Sequence, residues 1–236
     1  MVNKQARIQD QPLEAYRYER KFIVEGMDEG QLKALVRLHP AMFIMTYPPR
    51  WVNNIYLDTV ELDNYQDNVD GAVDRRKIRL RWYHGLFDPA ANPTLEFKVK
   101  QGLVARKLQF PLHPFQLTTS FCVDTLQVFF QEARLSPQVT LLLRSHQPVL
   151  INRYKRWYFA TRDGRYRVTI DAEMVFFHVQ QMENTFRYRY CADHLRVVEL
   201  KYQKEDDPRA GNIASFFPFS VYKNSKYVLG MDSVYW

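Results

Sequence analysis

"KIRLRWY", residues 77–83, is the stretch that decides the fold. Side chains alternate along a strand, so Lys77, Arg79, Arg81 and Tyr83 share one face while Ile78, Leu80 and Trp82 share the other. The apolar face is built for burial. The opposite face carries three long cations in a row, and the architecture turns on what they point at.

Other segments repeat the pattern. "TLEFKVK" (94–100) sets Glu96, Lys98 and Lys100 opposite Leu95, Phe97 and Val99, and "RVVELKY" (196–202) sets Glu199 and Lys201 opposite Val198, Leu200 and Tyr202. "YRYERKFIV" (16–24) puts Glu19 and Lys21 against Tyr18, Phe22 and Val24. "YRVTID" (166–171) groups Arg167, Thr169 and Asp171, and "NRYKRWYF" (152–159) groups Asn152, Tyr154, Arg156 and Tyr158, with Arg153 and Lys155 on its other face. A merely solvated face favours variety. Here long cations recur beside a glutamate.

Further strand-like segments are "WVNNIYLD" (51–58) and "RKLQFPL" (106–112), which brings the total to about eight. "DGR" (163–165) reads as a hairpin turn. Helical periodicity runs through 28–39 and 121–135, with shorter helices expected near 59–68 and 208–216. The expected fold is α+β, an eight-stranded antiparallel tunnel or barrel with a polar, basic interior and helices packed outside. At roughly 6 Å and an effective dielectric near 20, each pair of bare cations inside would repel by about 3 kcal/mol. The glutamates offset part of this and suit a hard divalent ion, Mg²⁺ or Mn²⁺. The remainder calls for a polyanion such as a linear triphosphate or polyphosphate.

The bounds agree. The chain has 236 residues, a net charge of +7, 46% hydrophobic and 15% aromatic residues, as befits a folded chain with an anionic partner. It reads as one domain over 1–236, with a loosely ordered arm at 1–14. No apolar run reaches the roughly 18 residues of a membrane span, and no signal peptide is recognisable, so a cytoplasmic location without membrane insertion is expected. Cys122 and Cys191 give no disulfide framework, and the six histidines lack metal-ligand spacing. Neither a GxxxxGK[ST] loop nor a GxSxG elbow occurs. Only "FRYRY" (186–190) combines Arg and Tyr in a way that suits base stacking, and the same alternation describes an edge strand.

In order, "YERKF", "IYLDT", "KIRLRWY", "LEFKVK", "RYKRWY", "RVTIDAEM", "VVELKY" and "NSKYVLGM" resemble the VTC (vacuolar transporter chaperone) polyphosphate-polymerase domain of the CYTH/triphosphate tunnel metalloenzyme superfamily. The resemblance runs from about Tyr16 to the C-terminus. It implies a tunnel that binds triphosphate and transfers the terminal phosphate of ATP to polyphosphate. Carried over by position, Lys21, Arg79, Arg81, Lys98, Arg156 and Lys201 are phosphate ligands, with Lys107 from the "RKLQF" strand and Lys226 near the tunnel mouth. Glu199 is implied as main metal ligand for Mn²⁺ or Mg²⁺, assisted by Glu19 and Glu96. Lys21, Arg79, Arg81 and Glu199 are the implied catalytic set. One departure is that Arg17 stands at the first carboxylate of the superfamily's ExExK signature. Neither the regulatory SPX domain nor the membrane helices of eukaryotic members are expected in these residues.

The expected function is therefore a metal-dependent phosphotransferase acting on ATP, triphosphate or polyphosphate. The alternatives are a hydrolase of inorganic tripolyphosphate, thiamine triphosphate or an RNA 5′-triphosphate, and a non-catalytic polyphosphate- or nucleic-acid-binding module. Nucleic acid is expected only as a 5′-triphosphate end, because duplex readers use exposed basic strips or recognition helices.

Overall fold

A computed structural model describes residues 17–101, 104–180, 182–222 and 225–236. The expected N-terminal arm lies outside these. The chain runs β1 (Arg17–Val24), α1 (Glu29–Arg37), β2 (Ile44–Asp58), α2 (Asp63–Val69), β3 (Arg75–Tyr83), β4 (Thr94–Gln101) and β5 (Val104–Pro111). It continues with α3 (Val123–Glu132), α4 (Pro137–Arg144), β6 (Gln147–Ala160), β7 (Arg167–His178), β8 (Arg189–Ala192), β9 (Arg196–Gln203), α5 (Asp207–Ser215) and α6 (Lys226–Tyr235).

All pairings are antiparallel, in the order β1-β9-β7-β6-β2-β3-β4-β5. Short β8 pairs with the C-terminal half of β7, while β9 pairs with its N-terminal half. The sheet curls so that its flanks approach across the inner face: Lys98 Nζ on β4, one strand in from the β5 edge, lies 3.2 Å from Glu19 Oε2 on the other edge strand, β1. The β6–β7 hairpin turns where the sequence places it, with Gly164 at φ +71°.

The apolar faces point outward under helices. Ile78, Leu80, Trp82, Leu95 and Phe97 pack with Leu126 and Phe130 of α3 and Val139 and Leu143 of α4. On the other flank, Phe22, Trp157, Val168, Ile170, Val198 and Leu200 pack with Leu32 and Val36 of α1 and Ala210 and Ile213 of α5. The inward expectation for the charged faces therefore holds.

Two helices were not legible as such. α4 is only eight residues long, too short for periodicity to declare itself, although its Ser136 cap and Pro137 are start signals. α6 carries the "KYVLGM" motif and lies against the inner face of the sheet, where Tyr227 and Met231 pack with Tyr56, Leu150, Tyr154, Met174 and Phe176. Gly230 permits this approach, since a Cβ there would meet Phe176 and Leu150 at 2.5 and 2.6 Å. Asp58, fully buried at the end of β2, ties this end together: it accepts from the amides of Asn64 and Tyr65 at the start of α2 and from the Tyr227 hydroxyl of α6. β2 also begins at Ile44 rather than near 51, because bulges let it run through Pro48 and Pro49. Among the described residues no helix is long and apolar enough to cross a membrane.

Candidate functional site: a basic cavity inside the sheet

The inner face encloses a cavity of about 330 Å³, floored at one end by the start of α6. Lys21, Arg79, Arg81, Lys98, Lys107, Arg156, Lys201 and Lys226 all line it, and so do Glu19, Glu96 and Glu199. Every site residue expected from the sequence is thus brought to one place, from six strands and a helix.

The charges fall into interlocking groups. Glu96 receives Arg79 Nη2 at 2.6 Å and Nε at 2.7 Å, Lys107 Nζ at 3.0 Å and Gln109 Nε2 at 2.9 Å, with Arg81 Nη1 at 3.6 Å. The ladder explains it: Arg79 faces Glu96 across β3–β4, and Glu96 faces Gln109 across β4–β5. Burial alone would raise the Glu96 pKa, but Arg79, Arg81 and Lys107 outweigh it and hold the carboxyl well below its usual range.

Glu199 is the second hub. Lys201 Nζ sits 2.7 Å away, with Arg156, Lys226 and Lys21 at 3.4, 3.5 and 3.6 Å. Burial opposes its ionisation, and these four cations override it. Lys21 stands between two carboxylates, 3.3 Å from Glu19 and 3.6 Å from Glu199.

The sequence reading assigned no site role to four further participants. Asp171 is fully buried; it takes Arg156 Nε at 2.5 Å and Nη2 at 2.6 Å, and Lys226 Nζ at 2.6 Å. Its parity on "YRVTID" was visible, but the Arg156 pairing needs the β6–β7 register. Tyr154 and Asn54 both accept from Arg81, at 3.2 and 2.8 Å. Lys77, first of the opening cations, also lines the cavity, donating to Ser225 Oγ at 2.8 Å. Burial first, then Lys21, Lys98, Arg79 and Arg75, push the Lys77 pKa well below that of a free lysine. Lys226 is buried at the first turn of α6, at the filled end of the cavity rather than at a mouth.

Ten Lys and Arg side chains line the cavity against three Glu, with Asp171 beneath. Each carboxylate is shared among several cations. Such a lining has donor capacity left for a polyanion, and its arginines can hold non-bridging phosphate oxygens in bidentate fashion.

For a metal, the three glutamates differ. Both Glu96 oxygens are engaged by Arg79, Lys107 and Gln109 at 2.6–3.0 Å, so an ion there would have to displace the tightest set of partners of the three. Glu19 and Glu199 fit better: the Lys21 ammonium already marks a cation position between them. Among the described residues no three His, Cys, Asp or Glu side chains form a cage, so an ion there would draw its other ligands from phosphate oxygens, as Mg²⁺ commonly does.

A family model described as "VTC domain" matches residues 16–235. No curated protein sequence matches significantly. Among solved structures, a candidate adenylate cyclase from Vibrio parahaemolyticus aligns with a TM-score of 0.51 at 12% identity, over 91% of this chain and 98% of that one. The Hippeastrum protein HpAC1, a candidate adenylyl cyclase with a dominant triphosphatase activity, aligns at 0.50 with 11% identity, over 91% and 96%. Identities this low speak to a shared fold.

Proposed function

As this chain belongs to the VTC domain family, we propose that it is a metal-dependent phosphotransferase that binds ATP or another triphosphate in its basic cavity and passes the terminal phosphate to polyphosphate. One observation carries the reading: ten cations and three glutamates from six strands and α6 converge on a single cavity. Duplex nucleic acid does not fit an enclosed cavity of this size.

Phosphoryl transfer asks a protein mainly for alignment and for stabilisation of charge on the transferred group. Arg79, Arg81 and Arg156 offer planar donors to non-bridging oxygens. Lys21, Lys98, Lys107, Lys201 and Lys226 act as point charges along the chain. Glu96 and Asp171 hold these cations in place before the ligand arrives, which spares reorganisation during reaction. Glu19 and Glu199 would hold Mn²⁺ or Mg²⁺. The bound ion supplies Lewis-acid neutralisation of the reacting phosphate.

The test is to incubate purified protein with ATP and Mn²⁺ and to resolve the products. Long-chain polyphosphate is expected, and Glu199→Gln is expected to lower its rate at least 100-fold. Orthophosphate alone would instead identify a hydrolase, and no turnover with tight tripolyphosphate binding would identify a binding module.

A further inference from the structure

Past the cavity the inner face continues, and its chemistry changes from charge to aromatic rings. Tyr83 lies two residues beyond Arg81 on β3, and Tyr158 two beyond Arg156 on β6. Strand alternation keeps both on the inner face, about 7 Å further along.

β2 completes the group. Its ladder with β6 passes from Tyr47↔Tyr158 to Arg50↔Arg156, so three steps on β2 match two on β6. In a regular strand, residues three apart face opposite sides. The extra residue of this bulge turns Arg50 to the side that Tyr47 faces, and Pro48 and Pro49 suit a place where ladder bonds are missing. The Arg50 guanidinium consequently lies 4.8 Å from the centre of the Tyr158 ring, 5.0 Å from Tyr83 and 5.7 Å from Tyr47. Tyr47 and Tyr158 meet edge to face at 6.0 Å. Tyr47 and Arg50 are exposed, while Tyr83 and Tyr158 are half-buried.

We propose that Tyr47, Arg50, Tyr83 and Tyr158 form a nucleobase subsite at the open end of the cavity, so that the ligand taken is a nucleoside triphosphate in preference to an inorganic one. The inference rests on the triphosphate reading above. Three π-faces and a planar cation are the chemistry that holds a base by stacking, whereas a bare phosphate chain gains nothing from the rings. The opposite end is filled by α6, so the non-phosphate part of a ligand must emerge on this side. The two-residue step from Arg81 and Arg156 leaves room for a ribose between phosphate and base.

Calorimetric titration of the full chain with ATP and with inorganic tripolyphosphate, in one Mg²⁺ buffer, tests it. Tyr158→Leu is expected to weaken ATP binding about tenfold, the size of one base–aromatic stack. Tripolyphosphate affinity is expected to change less than about twofold. Tyr83→Leu should behave alike, and it carries the test if thermal melting shows that Tyr158→Leu does not fold. Equal losses for the two ligands, or no loss in either variant, would overturn the base subsite and leave the mouth as a path for phosphate alone. Failure of the unaltered protein to bind either ligand would instead overturn the triphosphate reading, and this inference with it.

Discussion

Lys77 and Arg153, on strands β3 and β6 to either side of β2, show how differently two cations of one sheet can be employed. Arg153 points outward and lies flat on Trp51, 3.8 Å from the ring centre, with Lys155 beside Trp51 and Trp157. These outer cations, which blur the alternation of "NRYKRWYF", are cation–π partners of the surface and not part of the cavity. Lys77 points inward among Lys21, Lys98, Arg79 and Arg75 and donates to Ser225. Burial and these like charges lower its pKa, so in the empty cavity it gives up its proton at a pH where free lysine, at 10.5, still holds one. A phosphate ligand favours the charged form and raises that pKa again. Tripolyphosphate binding is therefore expected to take up protons as pH rises toward 10.5, seen as a binding enthalpy that varies with the ionisation heat of the buffer. Lys98 and Lys107 are lowered as well, so Lys77→Met should reduce this dependence without abolishing it, and an unchanged dependence would assign the protons elsewhere.

Elements differ in how far they could be foreseen. β3, β4 and β9 alternate cleanly, and their bounds and faces follow from period alone. β2 does not, because the two prolines of "TYPPR" hide a bulged strand inside what looks like a loop. The pairing of Arg156 with Asp171 was also out of reach, since which strands become neighbours is a property of the whole sheet. α6 is the clearest case: its motif was visible, but its position depends on the absence of a side chain at Gly230. Gly230→Val would force atoms into the Phe176 and Leu150 side chains. A cost of about 1–3 kcal/mol is expected from such overpacking, together with weaker tripolyphosphate binding as Lys226 and Ser225 shift. Thermal melting and calorimetry would check both. A variant as stable as the parent would show that the helix does not sit tightly against β6 and β7.

Seen whole, the molecule keeps two of its hydrocarbon clusters outside the sheet, a third where α6 fills one end of the inner face, and its charge in the cavity beside it. Repulsion among the lining cations opposes folding when the cavity is empty, and an anion relieves it. Tripolyphosphate at about 100 times its dissociation constant is expected to add about 2.7 kcal/mol, which raises the melting midpoint of a chain this size by roughly 5–11 °C. Added KCl should shrink the shift through screening. A midpoint that does not move under saturating ligand would contradict the assignment of the cavity.

The Lys98–Glu19 contact, a side-chain bridge from the edge strand β1 to β4, next to the opposite edge, has a mechanical consequence. A cylinder closed by backbone bonds all round can thread a long molecule only lengthwise. One bridged between β1 and β4 by an ammonium and a carboxylate has a side that can part, and a phosphate bound there would compete with Glu19 for the lysine that fastens it. Such an occupant would loosen the wall it lies against and, under the phosphotransferase proposal, open a lateral route to solvent for a long product.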